Sequence, residues 1–196
     1  MERLLLARHG ESTYSARGLV NGDPSVACPL SPAGREQAEA LGAALRGETI
    51  DLLAVTEFER VRETAELALA GRDVPAIVVP ALNDPRYGAF EGGLLDAYRA
   101  WAWEHGPLEA PPGGEHRGEL AARYGEGLRL LLERPEETVL LVGHSLPIRY
   151  ALDASEGLSP RARVDLVEYA TVYRLTAAEA LRAAEVLGSW SLAPAF

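Results

Sequence analysis

The chain contains no lysine: all nineteen of its basic residues are arginine. An arginine is therefore weaker evidence of phosphate binding here than in a chain that uses both cations, and position has to carry the argument. Cys28 is the only cysteine, which excludes an intrachain disulfide and any multi-cysteine metal site. No apolar run approaches the roughly 20 residues that a bilayer span requires. No leader-like stretch precedes the first apolar run, so a cytoplasmic location is expected. Positive charge is also scarce: the net charge of −10 argues against nucleic acid or an anionic membrane as a partner. Neither a Walker-type phosphate loop nor a dinucleotide glycine fingerprint occurs. With 196 residues, 47% of them hydrophobic, the chain can bury the core of one globular unit.

What is present begins with Arg8-His9-Gly10-Glu11-Ser12, directly after the apolar run Leu4-Leu5-Leu6-Ala7. Four apolar residues bounded by turn formers read as a buried strand. The motif then lies at the strand's C-terminal end, where open α/β sheets bind ligands. Arginine's planar fork suits two oxygens of a phosphate dianion, and a neutral imidazole nitrogen can attack phosphorus.

Further elements follow along the chain. Ser31 and Pro32 open a helix running to Arg46, with Ala38, Leu41 and Leu45 on its apolar stripe. Strands are expected at Ile50–Val55 and Ala76–Val79, with a helix from Glu59 to Ala70 between them. This β-α-β-α-β alternation predicts a three-layer α/β/α fold around a mostly parallel sheet. Asn83 to Gly114, rich in glycine, proline and aromatics, reads as a cap insertion. It carries one helical stretch, Leu94–Glu104, whose Tyr98, Trp101 and Trp103 either cover the crevice or anchor the insertion to the core. Glu115–Leu132 returns to helix, Thr138–Val142 is the best candidate for a central strand, Leu146–Leu152 can start a helix, and Tyr169–Leu175 alternates as a strand. Ala177–Leu187 fits a helix or a final strand, and Trp190 and Phe196 dock the tail.

Gly143-His144-Ser145 follows the Thr138–Val142 strand just as Arg8-His9-Gly10 follows the first. In a parallel sheet such ends share one edge, so the two imidazoles can converge. Arg60 lies past a third strand at a helix N-terminus, which favours anions, whereas Arg62 is expected on the surface. Ser145 resembles the nucleophile of a serine-hydrolase elbow, but that fold needs a histidine downstream. The histidines are 9, 105, 116 and 144, so none follows it. A metal held by His9, His144, Asp84 and Glu91 lacks the close ligand spacing such sites use; no metal and no cofactor are expected.

With those segments in hand, the chain resembles the histidine phosphatase superfamily, in its phosphoglycerate mutase-like branch, nearly end to end as a single domain over residues 1–196. Leu4–Ser12 is similar to the family's strand followed by arginine-histidine-glycine-glutamate. Leu30–Ala38, the Arg60 segment, Leu82–Gly92, Pro112–Glu115 and Val139–Ser145 match its further motifs in order. The resemblance implies that His9 is the phosphorylated nucleophile. Arg8, Arg60 and His144 would hold the phosphoryl oxygens, and Asp84 would stand where the family usually has a glutamate acid. Glu91 is better explained as structural. Ser15, Asn21 and His116 stand at substrate-contact positions where the family's common residues are replaced. The implied partner is a small phosphorylated metabolite, and a homodimer is left open. Phosphatase action is favoured over mutase action because the chain is short and lacks an arginine-rich stretch ahead of Ala110-Pro111-Pro112. A family member that binds a phosphoester without turnover is the third alternative.

Overall fold

The computed structural model describes the whole chain, Met1–Phe196. Five strands, β1 (Arg3–Arg8), β2 (Leu52–Val55), β3 (Ala76–Val78), β4 (Thr138–Gly143) and β5 (Val172–Thr176), form one sheet in the order β3-β2-β4-β1-β5. All neighbours are parallel except β5, which runs antiparallel to β1 at one edge. Both faces are covered, which is why the central strands read as continuous apolar runs.

Successive residues of each strand alternate between two cores. Leu4, Leu6, Ala54, Val139 and Leu141 point to one side, against α4 (Arg117–Leu132), α5 (Ser145–Ser155) and α6 (Ala177–Leu192). Leu5, Ala7, Val55, Leu140 and Val142 point to the other, against α1 (Pro32–Ala44) and α2 (Glu59–Ala68). The result is the expected three-layer α/β/α arrangement. Each fully buried leucine contributes about 1.5–3 kcal/mol relative to exposure.

Helix ends follow local chemistry. The Ser31 side chain accepts from the Gly34 N–H and Pro32 occupies the first turn. Ala177–Leu187 resolves as helix because the Thr176 hydroxyl and the Glu179 carboxylate form a reciprocal capping box, and the helix continues to Leu192. α4 starts at Arg117, two residues later than expected, because His116 acts as its N-cap. β5 likewise starts at Val172, three residues after the expected Tyr169: the chain turns at Ala170, in the left-handed region at φ 49°. Trp190 is buried, and its ring stacks with half-exposed Phe196.

Residues 83–114 carry α3 (Leu95–Glu104). The segment is tied to the loop after β1 by Val20 N–H to Gly93 O (3.0 Å) and Leu95 N–H to Gly18 O (2.8 Å). Of its aromatics, Tyr87 lines the crevice, whereas Tyr98, Trp101 and Trp103 do not. Tyr98 packs edge-on against Tyr87 with centroids 4.7 Å apart, and Trp101 stacks on His105 at 4.2 Å. Trp103 is exposed beneath the Arg163 guanidinium. These rings anchor the segment, because a small satellite core with Val20 and Ala102 is what holds it down. No helix is long and apolar enough to cross a membrane.

Candidate active site

β1 and β4 pair in parallel with Arg8 opposite Gly143, so His9 and His144 leave adjacent strands at the same level. The His9 N–H donates to Gly143 O at 2.9 Å, and the imidazole centroids lie 5.5 Å apart, edge to face. Gly10 is required where the motif loop meets α1: a Cβ there would overlap the Gly34 carbonyl.

His9 is buried at 3% exposure, and its Nδ1–H donates to its neighbour's carbonyl, Gly10 O, at 2.6 Å. That contact selects the tautomer whose Nε2 carries the lone pair. The Arg60 Nε–H points at this lone pair from 3.2 Å. Burial first, then the charges of Arg60 and Arg8, hold the His9 pKa well below 6.5, so the ring is neutral at pH 7. His144 is also held well below 6.5, by burial first and then Arg60. Its Nε2 lies 2.9 Å from the Thr56 hydroxyl, leaving Nδ1 directed at Arg60 NH2 (3.3 Å).

Arg60 does not reach solvent. Its guanidinium joins the site's members: Asn21 Oδ1 at 2.6 Å, Asn21 O at 3.1 Å and Asp84 Oδ2 at 3.0 Å, besides both imidazoles. It sits where a metal between His9, His144 and Asp84 would have to sit. Arg8 donates to Val167 O at 2.9 Å, and its guanidinium lies 3.7 Å above the Tyr169 ring. Its buried Nε has no partner. A desolvated donor left unpaired is costly unless an anion completes it.

Asp84 lies 3.7 Å from His144 Nδ1. Burial raises its pKa from 3.8, against the pull of Arg60, Arg8 and Arg123. Arg123 also fixes the Asp84 backbone, donating to the carbonyls of Asn83 (2.7 Å) and Asp84 (3.0 Å). Glu91 accepts from the Gly22 and Tyr87 N–H groups, a structural assignment. Arg62 is exposed and holds Glu57 O.

Arg8, His9, Ser15, Asn21, Arg60 and Asp84 line one cavity of about 80 Å³, room for a phosphoryl group and little more. His144 is fully buried directly behind Arg60. Ser145 and Leu146, the first residues of α5, also line it, and no side chain caps that helix. Its amide dipoles therefore add to the anion-binding field. His116 does not join the others: its Nδ1 accepts from the Glu119 N–H at 3.1 Å, outside this cavity. Sequence reasoning missed Tyr169, Val167 and Thr56, which orient the charged groups. Ser145 was weighed only as a nucleophile, whereas its hydroxyl accepts from the Val167 N–H at 3.0 Å and so fixes the carbonyl that holds Arg8.

One imidazole and two guanidiniums lining a phosphate-sized cavity, with a second imidazole packed behind Arg60, define a phosphoryl-transfer site. Known proteins agree. The chain is 33% identical over 153 residues to an adenosylcobalamin/alpha-ribazole phosphatase from Escherichia coli K12, covering 72% of this chain and 73% of that protein. It is also 33% identical over 208 aligned positions to a 2,3-bisphosphoglycerate-dependent phosphoglycerate mutase from a Methylobacterium species, covering 95% and 98%. The crystal structure of an alpha-ribazole phosphatase from Shigella flexneri superposes with a TM-score of 0.75 at 28% identity, over 88% of this chain and 89% of that one. The chain belongs to the histidine phosphatase superfamily, branch 1, whose family model matches residues 4–188, and it is an enzyme of that kind.

Proposed function

We propose that the protein hydrolyses a small phosphomonoester in two steps, with His9 as the covalent nucleophile. The observation that carries this reading is Arg60, whose one buried side chain contacts His9, His144, Asn21 and Asp84 beside the unpaired Arg8 Nε. In the first step His9 Nε2 forms a bond to phosphorus as the ester P–O bond breaks, and Asp84 donates a proton to the departing alkoxide. Arg8, Arg60 and His144 offset the charge on the equatorial oxygens. In the second step a water oxygen bonds to phosphorus as the P–N bond to His9 Nε2 breaks, the water's proton passes to Asp84, and inorganic phosphate leaves. Ser15 and Asn21 border the phosphoryl group, and residues 83–114 cap the crevice.

Hydrolysis is favoured over phosphoryl return to a bound product because Arg8 and Arg60 are the only cations lining the cavity. A mutase must hold a second anionic group while its intermediate reorients. We place the reaction in the cytoplasm, where the buried Cys28 thiol stays reduced.

The test is phosphate release from a panel of phosphomonoesters, α-ribazole phosphate and phosphoglycerates among them, by the wild type and His9→Ala. The wild type should turn over and leave an acid-labile phosphoenzyme on quenching, and His9→Ala should do neither while staying folded. Substantial turnover by His9→Ala, or an acid-stable label, would sink the assignment. Binding without turnover by the wild type would make the chain a phosphoester-binding protein.

A further inference from the structure

The cavity changes character from bottom to mouth. Its floor is polar and buried, with Arg8, His9 and Arg60 at 7%, 3% and 3% exposure. Its rim is rich in leucine: Leu19, Leu95 and Leu146 are half-buried and Leu166 is 40% exposed, lining the same cavity beside Tyr14 and Ser15. These leucines come from four separate stretches: the loop after β1, the start of α3, the start of α5 and the loop before β5. Four leucines converging on one opening leave apolar surface for a ligand to cover.

A second opening beside Asp84 differs in charge. A groove of about 580 Å³ shares Asp84 with the cavity and has no leucine, isoleucine, valine or aromatic residue in its lining, only Pro24 and Pro80 among charged and polar side chains. Asp23, Glu57, Glu91 and Glu115 outnumber Arg86 and Arg123 there, and Arg123 is paired with Glu115 at 2.9 Å. An anionic substituent reaching past Asp84 meets net negative charge, and one reaching the leucine rim loses its hydration without gaining a cation.

We propose that the organic part of the substrate is uncharged and apolar, an alkyl chain or an aromatic ring seated on Leu19, Leu95, Leu146 and Leu166, and carries no second phosphate or carboxylate near the ester. This rests on the phosphatase reading above and narrows its substrate class. The apolar group gains by covering the leucines, and the reacting phosphate alone uses the two arginines.

The experiment compares ethyl phosphate, hexyl phosphate and the ω-carboxy analogue of hexyl phosphate. All three release a primary alkoxide, so the chemical demand on the site is the same. Burying a methylene is worth about three- to fourfold, so kcat/KM for hexyl should exceed ethyl on the order of 10- to 100-fold. The carboxylate analogue should fall at least roughly tenfold below hexyl phosphate. Leu166→Ser should compress the hexyl-to-ethyl ratio severalfold, and Leu166→Arg should raise the carboxylate analogue relative to hexyl. Equal rates on ethyl and hexyl phosphate, or an ω-carboxy ester matching hexyl, overturn this inference while leaving the phosphatase reading intact. Failure of every ester overturns both.

Discussion

Replacing Asp84 by asparagine tests the proton-transfer step with little disturbance to the site. Asparagine has the same shape, and its side-chain oxygen can still accept from Arg60 NH2, now 3.0 Å from the carboxylate. The backbone stays tethered through Arg123. What is lost is the acidic proton, and positioned general acid–base catalysis contributes about 10²–10⁴-fold. A loss of 10²–10³ in turnover of alkyl phosphates is expected, about 2.7–4.1 kcal/mol of barrier. Nitrophenolate leaves without a proton, so phosphorylation of His9 by nitrophenyl phosphate should slow only severalfold. On the proposed mechanism the water step needs Asp84 as base whatever the substrate. Rapid-quench measurement on Asp84→Asn should therefore show a stoichiometric burst of nitrophenolate followed by slow turnover, and no burst of alcohol from an alkyl ester.

The pH profile gives an independent signature. Burial raises the Asp84 pKa, so the required acid form is lost as pH rises through that raised value. The resulting alkaline limb in kcat/KM for alkyl esters should disappear in the variant. Equal, small losses on both substrates, with no burst, would remove Asp84 from the mechanism. The nearby carboxylates could not replace it in their present positions. Glu91 accepts two backbone N–H groups, and Glu11 accepts from the Ser31 hydroxyl at 2.7 Å.

Arg60→Ala and Arg8→Ala should each cost about 2–4 kcal/mol in kcat/KM on every ester alike, measured by steady-state kinetics, because charge-assisted contacts to the phosphoryl group are lost. A loss confined to one substrate would show that the arginine reads the leaving group instead. Stability should fall as pH drops below about 6.5, since His9 and His144 stay neutral in the folded chain while the unfolded chain protonates them. Asp84, whose pKa is raised, acts in the opposite sense at lower pH. Thermal melts across this range should therefore show a shallower slope in His9→Gln, and an unchanged slope would refute the neutral-histidine reading.

The catalytic edge was legible because periodicity and topology are both local. An apolar run followed by a polar motif marks a strand end, and parallel pairing then puts Arg8-His9 beside Gly143-His144 without any side-chain detail. The helix starting at Ala177 was also written in the chain, through Thr176 and Glu179 three residues apart, yet its apolar pattern alone left a strand open. His116 misled for a related reason. Histidine is uncommon as an N-cap, so its spacing to Glu119 did not read as a capping box. Tyr169 and Val167 could not be found at all. They act on Arg8 from a stretch without regular structure, and their register is set by the Arg8–Tyr169 bridge, a contact across 161 positions. The cap aromatics look functional by composition, but a segment supported by few neighbours needs its own small core, and Tyr87, Tyr98 and Trp101 supply it.

A chain of net charge −10 can still hold a phosphate dianion because the relevant field is set within a few ångströms. Two guanidiniums desolvated beside the free start of α5 act at low dielectric, whereas the surface carboxylates are screened by water and salt. The same arrangement explains why Arg60 contacts so many acceptors at once. Asn21, Asp84 and two neutral imidazole nitrogens partly satisfy a buried cation. An incoming phosphoryl group offers Arg60 stronger, ionised acceptors and frees His9 Nε2 from its donor. On the proposed mechanism, substrate binding and release of the nucleophile are then one exchange of hydrogen bonds. On the proposed mechanism Asn21, the residue that grips Arg60 most closely, governs how readily the exchange occurs.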